Sequence, residues 1–153
     1  MQQLYTFGGN DALLAELVRC GVRFLLVGGL AVHFYASERK ADDLDLLVEQ
    51  TSENAERLFQ AMAALHVMPE FPQVLIATPG DQPQQLPFKT YHYADLVTTG
   101  KDINFPAEWA QSQEALIGQH RVHVASRALL IAMKRKAGRE KDLRDVELIE
   151  RDA

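Results

Sequence analysis

The chain has 153 residues, 47% hydrophobic and 24% charged, with a formal net charge of -5. That length and balance suit one globular domain over residues 1–153. The acidic total argues against indiscriminate coating of nucleic acid, which needs an excess of Lys and Arg.

Cys20 is the only cysteine, so an internal disulfide and a Cys-rich metal site are excluded and a reducing, cytoplasmic address is expected. The opening residues lack a basic stretch followed by a long apolar run, and nowhere do about 18 apolar residues run together, so neither secretion nor membrane spanning is expected. The charge is polarised: residues 121–144 hold eight Lys or Arg against two acids, a local balance of +6 that leaves -11 for the remainder.

In chain order, Asn10 is expected to cap a first helix in which Leu13, Leu14, Leu17 and Val18 recur at helical spacing, with Gly21 as its stop. Phe24–Val27 reads as a buried strand. Gly28 and Gly29 follow, and the apolar run after them has the length of a two-turn helix. The segment DDLDLLVE alternates Asp43, Asp45 and Leu47 with Leu44, Leu46 and Val48, the two-residue period of a strand with one acidic and one apolar face.

Thr51 or Ser52 is expected to cap a helix carrying Leu58, Phe59, Met62 and Leu65 on one stripe. Prolines at 69, 72, 79, 83 and 87 mark a loop-rich stretch, read as a long hairpin with Val74–Ala77 as one arm. Phe88–Thr98 reads as the longest strand, with Asp95 near its far end before Gly100. Pro106 starts a short helical turn, ALI and RVHV flank GQH as a hairpin, and Ser126 caps a helix, RALLIAMKRKA, that Gly138 ends. DLRDVELIE forms a last helix.

Asp43 and Asp45 at alternate strand positions point the same way, roughly 7 Å apart. Each opposes ionisation of the other, and a bound divalent cation removes that cost. Oxygen-only ligands favour Mg²⁺ or Mn²⁺ over zinc. A metal pair serves in-line displacement at phosphorus, and Asp95 on a separate strand is the candidate third carboxylate, as ligand or as acceptor of a hydroxyl proton. Gly28 and Gly29, where a strand hands over to a helix, suit close approach of a triphosphate. His33, His66, His92, His120 and His123 show no metal-ligand spacing, and Trp109 reads as a packing residue.

The stretch VGGLAVHFYASERKADDLDLLVE, a glycine pair thirteen residues ahead of an Asp-x-Asp strand, resembles the signature of the nucleotidyltransferase superfamily. ADLVTTGKDINF resembles its third-carboxylate strand, and LLIAMKRKAGREKDLRDVELI is similar to the C-terminal helices of AbiEii-type and minimal nucleotidyltransferases. The resemblance implies an α+β fold, a mixed β-sheet flanked by α-helices, and transfer of a nucleoside monophosphate from a nucleoside triphosphate such as ATP.

By the same resemblance, Gly28 and Gly29 would meet the triphosphate, Asp43, Asp45 and Asp95 the metals, and Arg39, Lys134, Arg139 and Asp142 the nucleotide. Ala41 stands where the family often has Thr, and Asp42 is an additional acid. The implied acceptor is tRNA or a protein, in a toxin–antitoxin setting, with an aminoglycoside-like small molecule as an alternative. A catalytically silent nucleotide-binding or antitoxin module is a further alternative, and a partner protein or homodimer is possible.

Overall fold

The computed structural model describes residues 1–88 and 93–151. The short edge strand β1 (Gln3–Leu4) precedes α1 (Asn10–Arg19), β2 (Phe24–Val27), α2 (Gly28–Tyr35), β3 (Leu44–Val48) and α3 (Ser52–Ala64). Then come α4 (Gln73–Ala77), β4 (Gln85–Pro87), β5 (Ala94–Thr98), α5 (Phe105–Ala110), β6 (Gln113–Ile117), β7 (His120–Val124), α6 (Arg127–Ala137) and α7 (Glu140–Arg151). The strands form one mixed sheet in the order β1-β6-β7-β2-β3-β5-β4. The α+β architecture expected from the sequence is therefore the observed one.

All four residues of β2 are buried, and in β3 only Asp45 is not. A strand covered on both faces explains the unbroken FLLV run, whereas β3 is open at Asp45 alone, with Leu47 on the same side buried. Helices α1, α3 and α4 form one packed group, and α2, α6 and α7 another. Leu13, Leu14 and Leu17 of α1 and Leu58 and Met62 of α3 enter the core, while Val18 lies exposed.

Helix ends follow side-chain capping where the sequence offers it. The Thr51 side chain accepts from the Asn54 amide, Asn104 from Ala107 and Ser126 from Leu129. Gly138, in the left-handed region at φ 69°, closes α6 as expected.

Asn10 does not cap α1. Gly9 occupies that position, and Asn10 is the first helical residue, fully buried, its amide donating to Thr6 Oγ1 at 2.9 Å. Val74–Ala77 is not a hairpin arm but part of the short helix α4, packed on α3, with Ile76 in the core. Pro72 immediately before it supplies the extended entry residue. The strand expected over Phe88–Thr98 is shorter: β5 covers Ala94–Thr98, equal in length to β3, β6 and β7, and Asp95 is its second residue rather than near its end. Residues 89–92 of that expectation, His92 among them, lie outside the described residues.

Trp109 is a packing residue, as expected. It stacks on His123 with ring centroids 3.8 Å apart, and the Arg23 guanidinium lies 4.4 Å from its ring centre on the indole. Burial pushes the His123 pKa down, Glu114 acts upward, and Arg23 and Arg121 add to the lowering.

Candidate active site

Sheet register brings the central acids together. β2 and β3 are antiparallel with Val27 opposite Asp45, so Gly28 at the end of β2 sits beside that aspartate. β3 and β5 are parallel with Asp45 opposite Asp95. Neighbouring strands lie about 4.8 Å apart, and register partners on a parallel pair project to the same side, so the two carboxylates face one space. Asp43, two residues before Asp45, joins them from the segment leading into β3.

Gly28 has φ 73°, a conformation that strains any residue with a Cβ. A Cβ there would stand 2.2 Å from Asp45 Oδ2 and 2.8 Å from Asp45 Cβ. The aspartate occupies the space the glycine leaves. Gly29 is close-packed too, since a Cβ on it would be 2.9 Å from Ala41 Cβ and 3.1 Å from an Arg39 guanidinium nitrogen. The methyl of Ala41, where the resembling family often has Thr, therefore packs directly on the glycine turn.

Asp95 is buried, 4% exposed, and its Oδ2 accepts from Gln85 Nε2 on the edge strand β4 at 2.7 Å. Asp42 turns its side chain to solvent, while its backbone carbonyl accepts from the Thr6 hydroxyl and from the Phe7 amide. The loop between α2 and β3 is held from several sides: His33 Nδ1 lies 2.7 Å from the Arg39 carbonyl, and Arg39 donates through Nε to Asp145 Oδ1 at 2.8 Å.

The opposite wall comes from the two C-terminal helices. Lys134 on α6 lies 3.0 Å from Asp145 Oδ2 and 3.5 Å from Asp142 Oδ1, and Arg139 donates to Asp142 at 2.7 Å. Asp142 and Asp145 are 1% and 3% exposed. Burial acts to raise the Asp142 pKa, but the Arg139 hydrogen bond and the charges of Lys134 and Arg139 outweigh it and hold the carboxyl below its ordinary range.

All nine residues singled out from the sequence line one cleft of about 1120 Å³: Gly28, Gly29, Arg39, Asp43, Asp45, Asp95, Lys134, Arg139 and Asp142. The sequence reading missed Asp145, Gln85 and His33. Asp145 carried a signal, because it follows Asp142 by three residues and so shares its helix face. Gln85 carried none, since its role depends on an edge-strand register.

The donor set suits a hard divalent cation, with oxygens on Asp43, Asp45 and Asp95 and, among the described residues, no thiol or imidazole lining the cleft. Among the described residues no three His, Cys, Asp or Glu side chains already form a closed ligand cluster. Asp45 and Asp95 stand opposite each other on neighbouring strands, Asp43 is two residues before Asp45, and all three line the cleft.

Neither a family model nor a curated protein matches the sequence. Solved structures do match its shape. The lincosamide antibiotic adenylyltransferase LnuA, bound to lincomycin, superposes with a TM-score of 0.61 at 12% identity, over 98% of this chain and 99% of that one. The fold is that of the nucleotidyltransferases.

An antigenic nucleotidyltransferase-like protein from Paracoccidioides brasiliensis gives 0.56 at 16% identity, covering 91% of this chain and 72% of that one. ANT(2″)-Ia, in complex with adenylyl-2″-tobramycin, gives 0.51 at 17%, covering 91% and 84%. The nucleotidyltransferase fold thus extends over nearly the whole chain, from β1 to α7. No helix is long and apolar enough to cross a membrane among the described residues.

Proposed function

We propose that the protein is a divalent-metal-dependent nucleotidyltransferase that moves a nucleoside monophosphate from a nucleoside triphosphate to a hydroxyl group. The observation that carries this reading is the register of Asp45 beside Asp95 on parallel neighbours, with Gly28 packed on Asp45. Asp43, Asp45 and Asp95 would hold Mg²⁺ or Mn²⁺, which supplies charge neutralisation at the phosphates.

The chain's own residues do the rest. The backbone amides at the start of α2, just after the turn that packs on Asp45, would meet the triphosphate, and Lys134, Arg39 and Arg139 bring positive charge to the same cleft. The acceptor oxygen bonds to the α-phosphorus as the bond from that phosphorus to the bridging oxygen breaks. Pyrophosphate leaves, and the hydroxyl proton passes to the Asp95 carboxylate.

For the acceptor we favour a small hydroxylated molecule. Two of the similar structures are antibiotic adenylyltransferases, one holding lincomycin and one an adenylylated tobramycin, and LnuA matches this chain over nearly its full length. The basic stretch at 121–144 gives less support to tRNA than its charge suggests. Its cations are mostly engaged: Lys134 and Arg139 with the buried acids, Arg135 with Glu150, Lys136 with Asp102, Arg121 with Glu114 and Arg144 with Glu140. A tRNA or protein acceptor in a toxin–antitoxin pair is the second reading, and it rests on the sequence resemblance of LLIAMKRKAGREKDLRDVELI to AbiEii-type chains alone.

The test is transfer of label from each of four α-³²P triphosphates with Mg²⁺, offered separately to aminoglycosides and lincosamides, to total tRNA and to cell lysate. Label on a small molecule supports the favoured acceptor, and label on RNA or protein the second. Nucleotide binding without transfer to any of them would leave a silent binding module.

A further inference from the structure

Asp145 belongs to none of the roles above, yet it sits at the centre of the cleft's charged wall. The ion pairs run in one alternating row: Arg39 to Asp145, Asp145 to Lys134, Lys134 to Asp142 and Asp142 to Arg139. Each carboxylate separates two cations, so three positive side chains line one wall with only two acids between them.

The row also spans three parts of the chain. Arg39 comes from the loop that leads to Asp43, Lys134 from α6, and Asp145 from α7. The side chain of Asp145 is 5% exposed, while its partners Arg39 and Lys134 are 32% and 15% exposed. The cations reach the cleft and the anion stays behind them. Asp145 Oδ1 accepts from Arg39 Nε, whereas buried Oδ2 completes no hydrogen bond and has the Lys134 ammonium 3.0 Å away. A carboxylate in that position holds two like charges side by side that would otherwise repel. Arg39 Nη1 donates to the Lys40 carbonyl, which leaves Nη2 beside Gly29, and both Arg39 and Lys134 line the cleft.

We infer that Asp145 is a positioning residue that sets Arg39 and Lys134 as a paired cradle for the phosphates of the nucleotide. This rests on the nucleotidyltransferase reading of the cleft and deepens it. Asp145 touches no substrate itself. Its effect is to fix the spacing of two cations and to tie the loop before Asp43 to the last helix, so that phosphate and cation sites keep one geometry. Phosphate affinity, rather than the chemical step, is the property it governs.

Asp145→Asn is the discriminating change. The amide keeps an oxygen for Arg39 but turns an uncharged NH₂ towards Lys134, removing the charge that holds it. Magnesium tripolyphosphate, which has no base or sugar, is the probe, read by isothermal titration on the full chain beside the KM and kcat for a nucleoside triphosphate. D145N is expected to weaken tripolyphosphate binding and raise KM by about tenfold to a hundredfold, as for other residues that orient a site's ligands, with kcat changed much less.

In a double-mutant cycle with Lys134→Met, the two losses are expected not to add, because Asp145 acts through Lys134. Tripolyphosphate affinity and KM equal to the parent's in a folded D145N protein overturn the inference, as do losses that add fully in the cycle. Should D145N be unfolded at the assay temperature, K134M carries the test, and its unchanged tripolyphosphate affinity overturns the inference equally. A parent chain that binds neither tripolyphosphate nor any nucleoside triphosphate overturns the nucleotidyltransferase reading as well, which separates that failure from failure of Asp145 alone.

Discussion

Replacing Gly28 with alanine imposes two costs that can be worked from the structure. At φ 73° an L-residue is strained by about 1–2 kcal/mol. The added methyl would also stand 2.2 Å from Asp45 Oδ2, 2.7 Å from its Cγ and 2.8 Å from its Cβ. Rotating the carboxylate relieves the first two contacts but not the third, because Asp45 Cβ moves only with β3. Overpacking of that kind costs about 1–3 kcal/mol. The total of about 2–5 kcal/mol corresponds to a fall in Tm of roughly 5–20 °C for a domain of this size.

Gly80→Ala is the control, because a Cβ there meets nothing within 4 Å. Thermal denaturation of both variants, with nucleotide transfer measured well below the lower Tm, gives the comparison. G28A is expected to be markedly less stable than G80A and to lose transfer even where folded, since the aspartate must turn away from its neighbours. A G28A protein as stable and as active as G80A would refute the close packing of glycine on carboxylate.

His123, its pKa lowered by burial, favours the neutral form in the folded state, while the unfolded chain titrates near 6.5. The unfolded state therefore binds more protons as pH drops, and stability is expected to decline below about pH 6.5. Urea denaturation between pH 7.5 and 5 checks this, with the slope in that window reduced in His123→Phe. Asp142 has a lowered pKa, so its stabilisation is present above the ordinary carboxylate range and is lost only as pH falls below about 4 through its own depressed value. Asp142→Ala at pH 7 is expected to cost about 3 kcal/mol in denaturant unfolding, the lower end for a buried pair. Lys134 keeps Asp145 as a partner, and Arg139 is largely solvent-facing.

Much of the local structure of the candidate site is legible in the sequence. The Asp-x-Asp alternation, the apolar run of β2 and the glycine pair are local patterns, and local patterns specify strand, turn and helix start directly. Ser126 and Gly138 marked both ends of α6 because cap chemistry is written in single residues. The departures share a cause. Asn10 has the composition of a cap, yet burial against Thr6 drew it into the helix, a tertiary preference that no local rule carries.

Val74–Ala77 is a short apolar run, a pattern that fits a strand and a buried helical turn equally, and packing on α3 decided between them. The pairing of β5 with β3 was legible only as a possibility, because register across more than forty residues depends on the whole sheet. Gln85 acts through the register of an edge strand and His33 through the path of the loop six residues on, and neither left a trace in spacing.

The central claim is that Asp43, Asp45 and Asp95 hold a divalent cation beside a triphosphate. Its most direct test is Mn²⁺ binding followed by electron paramagnetic resonance, with a non-hydrolysable triphosphate present, in the parent chain and in Asp45→Asn. The account predicts that the parent takes up Mn²⁺ in a nucleotide-dependent manner and that the single charge removed in D45N, with the fold retained, weakens uptake by at least about tenfold. Equal Mn²⁺ binding by the two proteins would contradict it.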